Sequence, residues 1–173
     1  MTGEDFQMTF GPRPGDIVFN MGNGGLFRAT IGRDSVPVPL LAAGGNEEHP
    51  ALSPDGHWLA YKSNVTGQSE VYVRSYPGMG PATVVSIGGG AAPVWRGDGR
   101  ELFYLGSTSM MAATLRFEAY QASVLSRTRL FSTRPYATAG NRDYDVSPDG
   151  QRFVMVRAQA PTVWKLNALA GVP

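Results

Sequence analysis

One short phrase recurs along the chain, and it limits what this sequence can fold into. Ser53-Pro54-Asp55-Gly56, Arg96-Gly97-Asp98-Gly99 and Ser147-Pro148-Asp149-Gly150 each separate two short apolar segments, and a weaker copy, Pro12-Arg13-Pro14-Gly15, stands near the start. The four glycines are 41, 43 and 51 residues apart. A period of 20–50 residues indicates a repeat architecture in which each unit packs on its neighbours. The chain is therefore predicted to contain about four similar units.

Each copy of the phrase fits the corner of a β-hairpin. Proline presets φ for a turn, and Asp-Gly supplies the positive φ that closes it. A short apolar strand precedes the corner and a buried strand follows it, as in Trp58-Leu59-Ala60-Tyr61. Two further strands complete each unit, which predicts an all-β fold: a β-propeller of about four blades of four antiparallel strands. We expect a single domain over residues 1–173, with blades at approximately 6–45, 46–88, 89–133 and 140–173.

The two ends of the array predict an unfinished ring. The last blade runs out of strands after its third, and the segment Phe6 to Phe10 could be either the first strand of blade one or the closing strand of the last blade. The total is therefore about fifteen strands. Because an open ring exposes apolar faces and an unpaired strand edge, we expect either a tight four-bladed ring or, with more support, a homo-oligomer. The segment Phe117 to Leu125 is predicted to be the loop between the third and fourth strands of blade three.

Composition excludes several classes of protein. The 173 residues carry a net charge of +1 and only 17% charged residues, whereas a nucleic-acid-binding domain needs a clustered basic face. The absence of cysteine excludes disulfides and thiolate metal sites. No stretch approaches the ~18 apolar residues of a membrane span, and the first residues do not have the pattern of a secretion signal. The chain is expected to be soluble, with its compartment unspecified.

One part of the chain is specific enough to indicate a family. The string HPALSPDGHWLAYKSNVTGQSEVYVRSYPG, running into GGGAAPVWRGDGRELFYL, resembles the TolB-like, WD-type propeller repeats of bacterial proteins. The string is most similar to the C-terminal propeller of bacterial serine/threonine protein kinases. The resemblance covers residues 46–166 closely and residues 12–45 more loosely. The resemblance implies a bacterial origin, a propeller fold and a role in interaction or sensing. It does not imply kinase activity, because the glycine-rich, HRD and DFG motifs of kinases are missing.

Polar residues gather where the first strand of a blade begins. When the blades are aligned on their Asp-Gly corners, His49, Ala92 and Asp143 fall at one position, and the first strand of a propeller blade lines the central channel. Glu48, Asp143 and Asp145 are candidate ligands for Ca²⁺, a hard cation that prefers oxygen. Either Asn46 or Asn141 would supply a further ligand to the metal. His49 is the candidate general base beside it, because histidine titrates near neutral pH. The candidate ligand-binding residues are Trp95 and Arg142. The alternative is that these polar side chains simply face water in the channel mouth.

Other motifs are assigned to structure. Aspartates at the hairpin corners, Asp55, Asp98 and Asp149, are expected to hydrogen-bond their own backbone rather than bind a metal. Gly88-Gly89-Gly90 lacks the Lys-Ser/Thr of a phosphate loop, and no Gly-x-Ser-x-Gly elbow exists.

The sequence is therefore compatible with two functions. A third possibility is that the chain is a fragment that folds but has lost its biological role. The first is a non-catalytic propeller that binds a protein or peptide and requires no cofactor. The second is a small Ca²⁺-dependent hydrolase of lactonase or esterase type, acting on a small-molecule ester or lactone through the acidic channel mouth.

Overall fold

The computed structural model describes residues 7–22, 24–41, 44–134, 136, 142–159 and 163–170, the last ten of these (158–159 and 163–170) by their backbone alone. These residues form fifteen β-strands and no α-helix. In chain order the strands are β1 Met8–Phe10, β2 Asp16–Asn20, β3 Leu26–Thr30, β4 Val38–Leu41, β5 Glu48–Leu52, β6 Trp58–Ser63, β7 Glu70–Ser75, β8 Thr83–Val84, β9 Ala91–Trp95, β10 Glu101–Leu105, β11 Ser109–Glu118, β12 Gln121–Ser132, β13 Tyr144–Val146, β14 Arg152–Gln159 and β15 Val163–Ala170.

The strands form four antiparallel sheets in which each strand pairs with its neighbour in sequence. Their orders are β1-β2-β3-β4, β5-β6-β7-β8, β9-β10-β11-β12 and β13-β14-β15. This arrangement confirms the prediction of successive propeller blades with a last blade of three strands. It also decides between the two roles considered for the N-terminal strand: Met8–Phe10 pairs with β2 and is the first strand of blade one.

The hairpin corners are built as the sequence predicts. In blade two the Ser53 hydroxyl donates to Oδ1 of Asp55, which also accepts the amide of His57 at 3.0 Å, while the Trp58 amide donates to Oγ of Ser53 at 2.9 Å. The glycine that follows the aspartate has a φ of 71°, in the left-handed region that only glycine occupies without strain. The structural assignment of the corner aspartates is confirmed, because the same bonds recur around Asp149 and because Asp98, whose corner has no serine, accepts the amide of Arg100 at 3.0 Å.

The hydrophobic core is divided into three parts, and each part lies between two blades. The first core joins blades one and two through Val18, Leu26, Leu59 and Tyr61. The second core joins blades two and three, and its buried members are Ala51, Trp58, Ala60, Val71, Val73, Val85, Trp95, Leu102, Tyr104, Ala113, Leu115 and Ala122. The third core joins blades three and four, and its buried members are Ala92, Val94, Phe103, Leu105, Met110, Ala112, Tyr144, Phe153 and Met155. Within the part of the chain whose side chains are described, no core joins blade four to blade one.

The segment predicted to be a loop in blade three is a strand hairpin instead. Strand β11 continues to Glu118, a two-residue turn follows, and β12 starts at Gln121. The turn is closed by Ala119, which has a φ of 51°. Phe117 explains why the strands extend so far: its ring packs against Trp58 of blade two, with ring centroids 4.5 Å apart. The loop prediction was wrong because this aromatic contact is not visible in the local sequence pattern.

No helix within the described ranges is long and apolar enough to cross a membrane.

Candidate functional site

The innermost strands of blades two and three share a backbone irregularity at the aligned position. His49 and Ala92 have φ values of 55° and 51°, which is uncommon for residues other than glycine. Strands β5 and β9 each shift register beside these residues. A bulge of this kind leaves an amide without a partner in its own sheet, and the amides of both residues instead bond to a neighbouring blade.

These bonds form a chain across all four blades. The amide of His49 donates to Oε1 of Gln7 at 2.9 Å, and the amide of Ala92 donates to Nδ1 of His49 at 3.0 Å. The carbonyl of Ala92 then accepts the hydroxyl of Tyr144 at 2.7 Å. Three hydrogen bonds therefore connect the four blades in order, from blade one to two, from two to three and from three to four.

This series of hydrogen bonds gives His49 a structural role. The side chain is buried, with 4% exposed, and Nδ1 must be unprotonated to accept the Ala92 amide, so the proton of the neutral ring is on Nε2. A general base needs a nitrogen that can take up a proton. Protonation at Nδ1 would leave a buried amide without an acceptor, which costs about 1–3 kcal/mol.

A small cavity opens beside His49 at the mouth of the channel. Its volume is about 240 Å³. Its walls come from the first strands of blades one to three and from the segment that leads into blade four: Gln7, Met8, His49, Pro50, Pro93 and Arg142. Two of the predicted site residues, His49 and Arg142, are therefore brought together. Most of the remaining wall is apolar, with one cationic guanidinium.

The acidic residues at the mouth do not converge. Arg142 forms an exposed ion pair with Asp145, with Nη2 3.2 Å from Oδ1, and the same oxygen accepts the amide of Val146. Asp143 precedes β13 and is half-buried. Asn141, the alternative candidate to Asn46, lies outside the described residues.

Glu48 is occupied by a different partner. Its Oε2 is 2.6 Å from Nζ of Lys62, and its Oε1 accepts a hydrogen bond from the side-chain Nδ2 of Asn46 at 2.5 Å. Burial alone would raise the pKa of Glu48, but the hydrogen bond and charge of Lys62, with a smaller contribution from the Asn46 side-chain amide, outweigh burial and lower that pKa. Glu48 is thus a carboxylate held by a lysine.

The structure does not assemble Glu48, Asp143 and Asp145 into a metal centre. Within the described part of the chain, no three His, Cys, Asp or Glu side chains lie close enough to hold a metal ion. The Ca²⁺ site remains a prediction from the sequence, without a ligand cluster to support it.

Trp95 lies in the core between blades two and three. Its side chain is 9% exposed and packs with Phe117, at 6.1 Å between ring centroids. Its Nε1 donates to the carbonyl of Ala51 at 3.0 Å. The predicted role of Trp95 as a channel-facing ligand residue is therefore not supported, because the inter-blade core uses both its ring face and its only polar atom.

Two buried polar residues at this end of the blades were missed. The Tyr144 side chain is buried against Ala92, and burial strongly raises the pKa of its hydroxyl. Glu47 is fully buried; its Oε1 accepts the Ser63 hydroxyl at 3.0 Å, whereas Oε2 has no hydrogen-bond partner among the described residues. The sequence carried no signal for either, because their partners belong to other strands.

Comparison with known proteins identifies the fold. No protein-family model and no curated protein sequence matches the chain. Solved structures do match: TolB from Acinetobacter baumannii has a TM-score of 0.63 at 14% identity, over 96% of this chain and 41% of that one. An oligogalacturonate lyase in complex with manganese has a TM-score of 0.64 at 14% identity, over 96% and 48%. A 6-phosphogluconolactonase-like protein from Bacteroides uniformis has a TM-score of 0.60 at 13% identity, over 95% and 54%.

These similarities agree with the TolB-like resemblance read from the repeats, and they concern the fold alone. The chain spans about half the length of the propeller structures it matches. The matched proteins include enzymes as well as TolB, so shared architecture does not decide between binding and catalysis.

Proposed function

We propose that this TolB-like β-propeller chain is a non-catalytic interaction module that binds a peptide segment of a partner protein at the channel mouth. The observation that carries the proposal is the use of the polar groups there: Gln7, His49 and Tyr144 hold the blades together. A site whose candidate base accepts a structural hydrogen bond is better suited to binding than to proton transfer.

The lining of the cavity indicates the chemistry of the partner. Met8, Pro50 and Pro93 offer an apolar wall, and Arg142 places a guanidinium at its rim. The ion pair of Arg142 with Asp145 is exposed on both sides, and exposed pairs contribute only about 0–1 kcal/mol. A carboxylate of the partner can therefore compete for the guanidinium at little cost. We infer a peptide in which an acidic residue stands beside an apolar one.

The test is a selection from a random peptide library, followed by titration of an enriched peptide. We expect enriched sequences to pair an acidic with an apolar residue. Arg142→Ala should weaken binding about tenfold, the loss of one charge-assisted contact. Arg152→Ala is the matched control, because Arg152 is an exposed arginine at the other end of the same blade. The proposal fails if no peptide is enriched, or if the enriched peptide binds Arg142→Ala as tightly as the native chain.

The Ca²⁺-dependent hydrolase is the second candidate, and similarity to propellers named as enzymes, one of them in complex with manganese, is the observation in its favour. Thermal unfolding with added Ca²⁺ and with EDTA separates it from the first, because a ligand that binds only the folded state raises the apparent stability. The interaction module predicts no shift in Tm. A rise of several degrees that is lost in Asp143→Ala or Asp145→Ala, together with turnover of a lactone, would replace it with the hydrolase.

A further inference from the structure

A second cavity lies at the opposite end of the first two blades. It has a volume of about 330 Å³, larger than the cavity at the channel mouth. Its walls come from the β1–β2 turn, the β3–β4 turn, the strand ends beside them and one tyrosine of blade two: Arg13, Pro14, Asp16, Arg28, Ala29, Thr30, Arg33, Asp34, Val38 and Tyr76. Because β1 runs from the channel mouth towards the β1–β2 turn, the two cavities are at opposite ends of the sheets.

Three arginines, Arg13, Arg28 and Arg33, line this cavity without internal partners. Within the described part of the chain, no hydrogen bond or ion pair engages any of their guanidinium groups. All three residues are exposed. Three neighbouring cations that form no ion pair repel one another, and a bound anion relieves that repulsion.

The two carboxylates of the same cavity are directed to another group. Oδ1 of Asp16 accepts the hydroxyl of Thr30 at 3.0 Å, and Oδ2 of Asp34 accepts the amide of Thr30 at 2.7 Å. Neither carboxylate comes within ion-pair distance of the arginines. Three positive and two negative side chains leave the lining with an excess of one positive charge.

Tyr76 adds a neutral hydrogen-bond donor. The residue is half-buried on the blade-two side of the cavity. Burial raises the pKa of Tyr76, while the charge of Arg28 acts in the opposite direction. The phenol therefore stays protonated at neutral pH, and its O–H can donate to an anionic oxygen.

We propose that this cavity binds a phosphate-type oxyanion, either free phosphate or the phosphate group of a small molecule. Planar guanidinium groups match the oxygen geometry of phosphate and bind it in a bidentate manner. A dianion suits three cations better than a single carboxylate does, because it can accept bonds from several guanidinium groups at once. The volume lies at the small end of the range for ligand pockets of about 300–1,000 Å³. This site is separate from the peptide site and does not depend on it.

Titration calorimetry with inorganic phosphate tests the proposal, with chloride used to hold the ionic strength constant. We expect saturable binding of one phosphate per chain. Arg28→Ala should weaken that binding about tenfold, the loss of a bond to a charged group. Asp34→Asn should strengthen it, because the substitution removes a negative charge and retains an oxygen for the amide of Thr30. Arg100→Ala is the control, since Arg100 is an exposed arginine in the corresponding β9–β10 turn of blade three.

Two further arms identify the anion. Acetate at the same ionic strength should not displace phosphate, and a small sugar phosphate should compete if the site accepts an attached phosphate group; phosphate alone binding would assign the site to the free ion. The proposal is overturned if no saturable binding occurs, if acetate binds equally well, or if Arg100→Ala weakens binding as much as Arg28→Ala. Unchanged circular dichroism of each variant verifies that a lost signal does not come from unfolding.

Discussion

His49 and Asp55 stand six residues apart, and the sequence predicts a role for each of them. Asp55 has the predicted task, as its carboxylate accepts the Ser53 hydroxyl and the His57 amide. His49 was expected to act on a substrate, whereas its Nδ1 accepts the amide of Ala92. The difference is one of distance along the chain. The partners of Asp55 are two residues away and belong to a known turn, but the partner of His49 is in the next blade.

The corner hydrogen bonds predict how stability responds to acid. Partial burial raises the pKa of Asp55, but the Ser53 hydroxyl and the His57 amide outweigh it, so the net pKa is lowered. A lowered folded-state pKa stabilises the fold above the ordinary pKa of about 4, and that stability is lost as the pH falls through the folded-state value. We expect Asp55→Asn to reduce the loss of unfolding free energy between pH 5 and 3, measured by urea unfolding, by less than about 1 kcal/mol because the site is exposed.

A direct titration checks the cause. In Ser53→Ala the carboxyl of Asp55 loses its first favourable hydrogen bond, and its pKa, followed by NMR, should rise towards the ordinary value. Asp149→Asn should behave like Asp55→Asn, because Ser147 and the Gln151 amide lower the pKa of Asp149 in the same way. Identical acid slopes for the native chain and Asp55→Asn would contradict this assignment.

At the level of elements, the β11–β12 hairpin extends from blade three over blade two. Phe117 contacts Trp58 and Trp95, and the hydroxyl of Thr83 in β8 donates to the carbonyl of Ala122 at 2.7 Å. Arg127 adds a bond from Nε to the carbonyl of Val85 at 2.6 Å. The hairpin is therefore a connection between two blades as well as part of one.

This connection can be weakened without altering the fold of the hairpin. Phe117→Ala should lower the free energy of unfolding by about 2–3 kcal/mol, because it removes a partly buried ring and its two aromatic contacts. Tyr120→Ala is the matched control at the tip of the same hairpin. With 74% of its side chain exposed, Tyr120 should contribute less than about 0.5 kcal/mol. Equal losses for the two variants, measured by urea unfolding, would show that Phe117 does not anchor the hairpin.

The elements also show how far the sequence could be read. Strand identity and pairing order followed from the Asp-Gly corners, because a tight corner forces its flanking strands to pair. The length of β11 and β12 did not follow, because the residue that extends them packs on another blade. The role of His49 could not be predicted for the same reason: alignment placed His49 and Ala92 correctly at one position, but could not show that their polar groups bond to each other.

For the whole molecule, the succession of four blades is the dominant feature. Among the side chains that the structure describes, no core joins blade four to blade one, and blade one exposes large apolar side chains. Phe10 is 70% exposed, Ile31 63% and Val36 73%. Propellers contain about four to eight blades, so two copies of this chain would supply the number of a large complete ring. We propose that a second copy covers these side chains.

Light scattering measures this directly. We expect a mass near twice the 18.5 kDa of one chain, and we expect Phe10→Ser to shift the population towards the monomer at the same concentration. Tyr120→Ser is the control, because it removes an equally exposed aromatic ring from a different blade. A monomer at all concentrations, or a dimer unaffected by Phe10→Ser, would contradict the second copy as the partner of this face.

The shared left-handed conformation of residues 49 and 92 has a bearing on how such a chain can change its length. Both residues are followed by proline, and each is the second residue of the inner strand of its blade. Joining residue 49 directly to residue 93 would delete one blade. The inner strand formed at the join would still carry the same left-handed residue followed by proline, and it could pack against the preceding blade in the same way. Additions and losses in whole repeats are therefore compatible with the architecture, whereas a cut elsewhere within a repeat leaves two half-cores that no longer match.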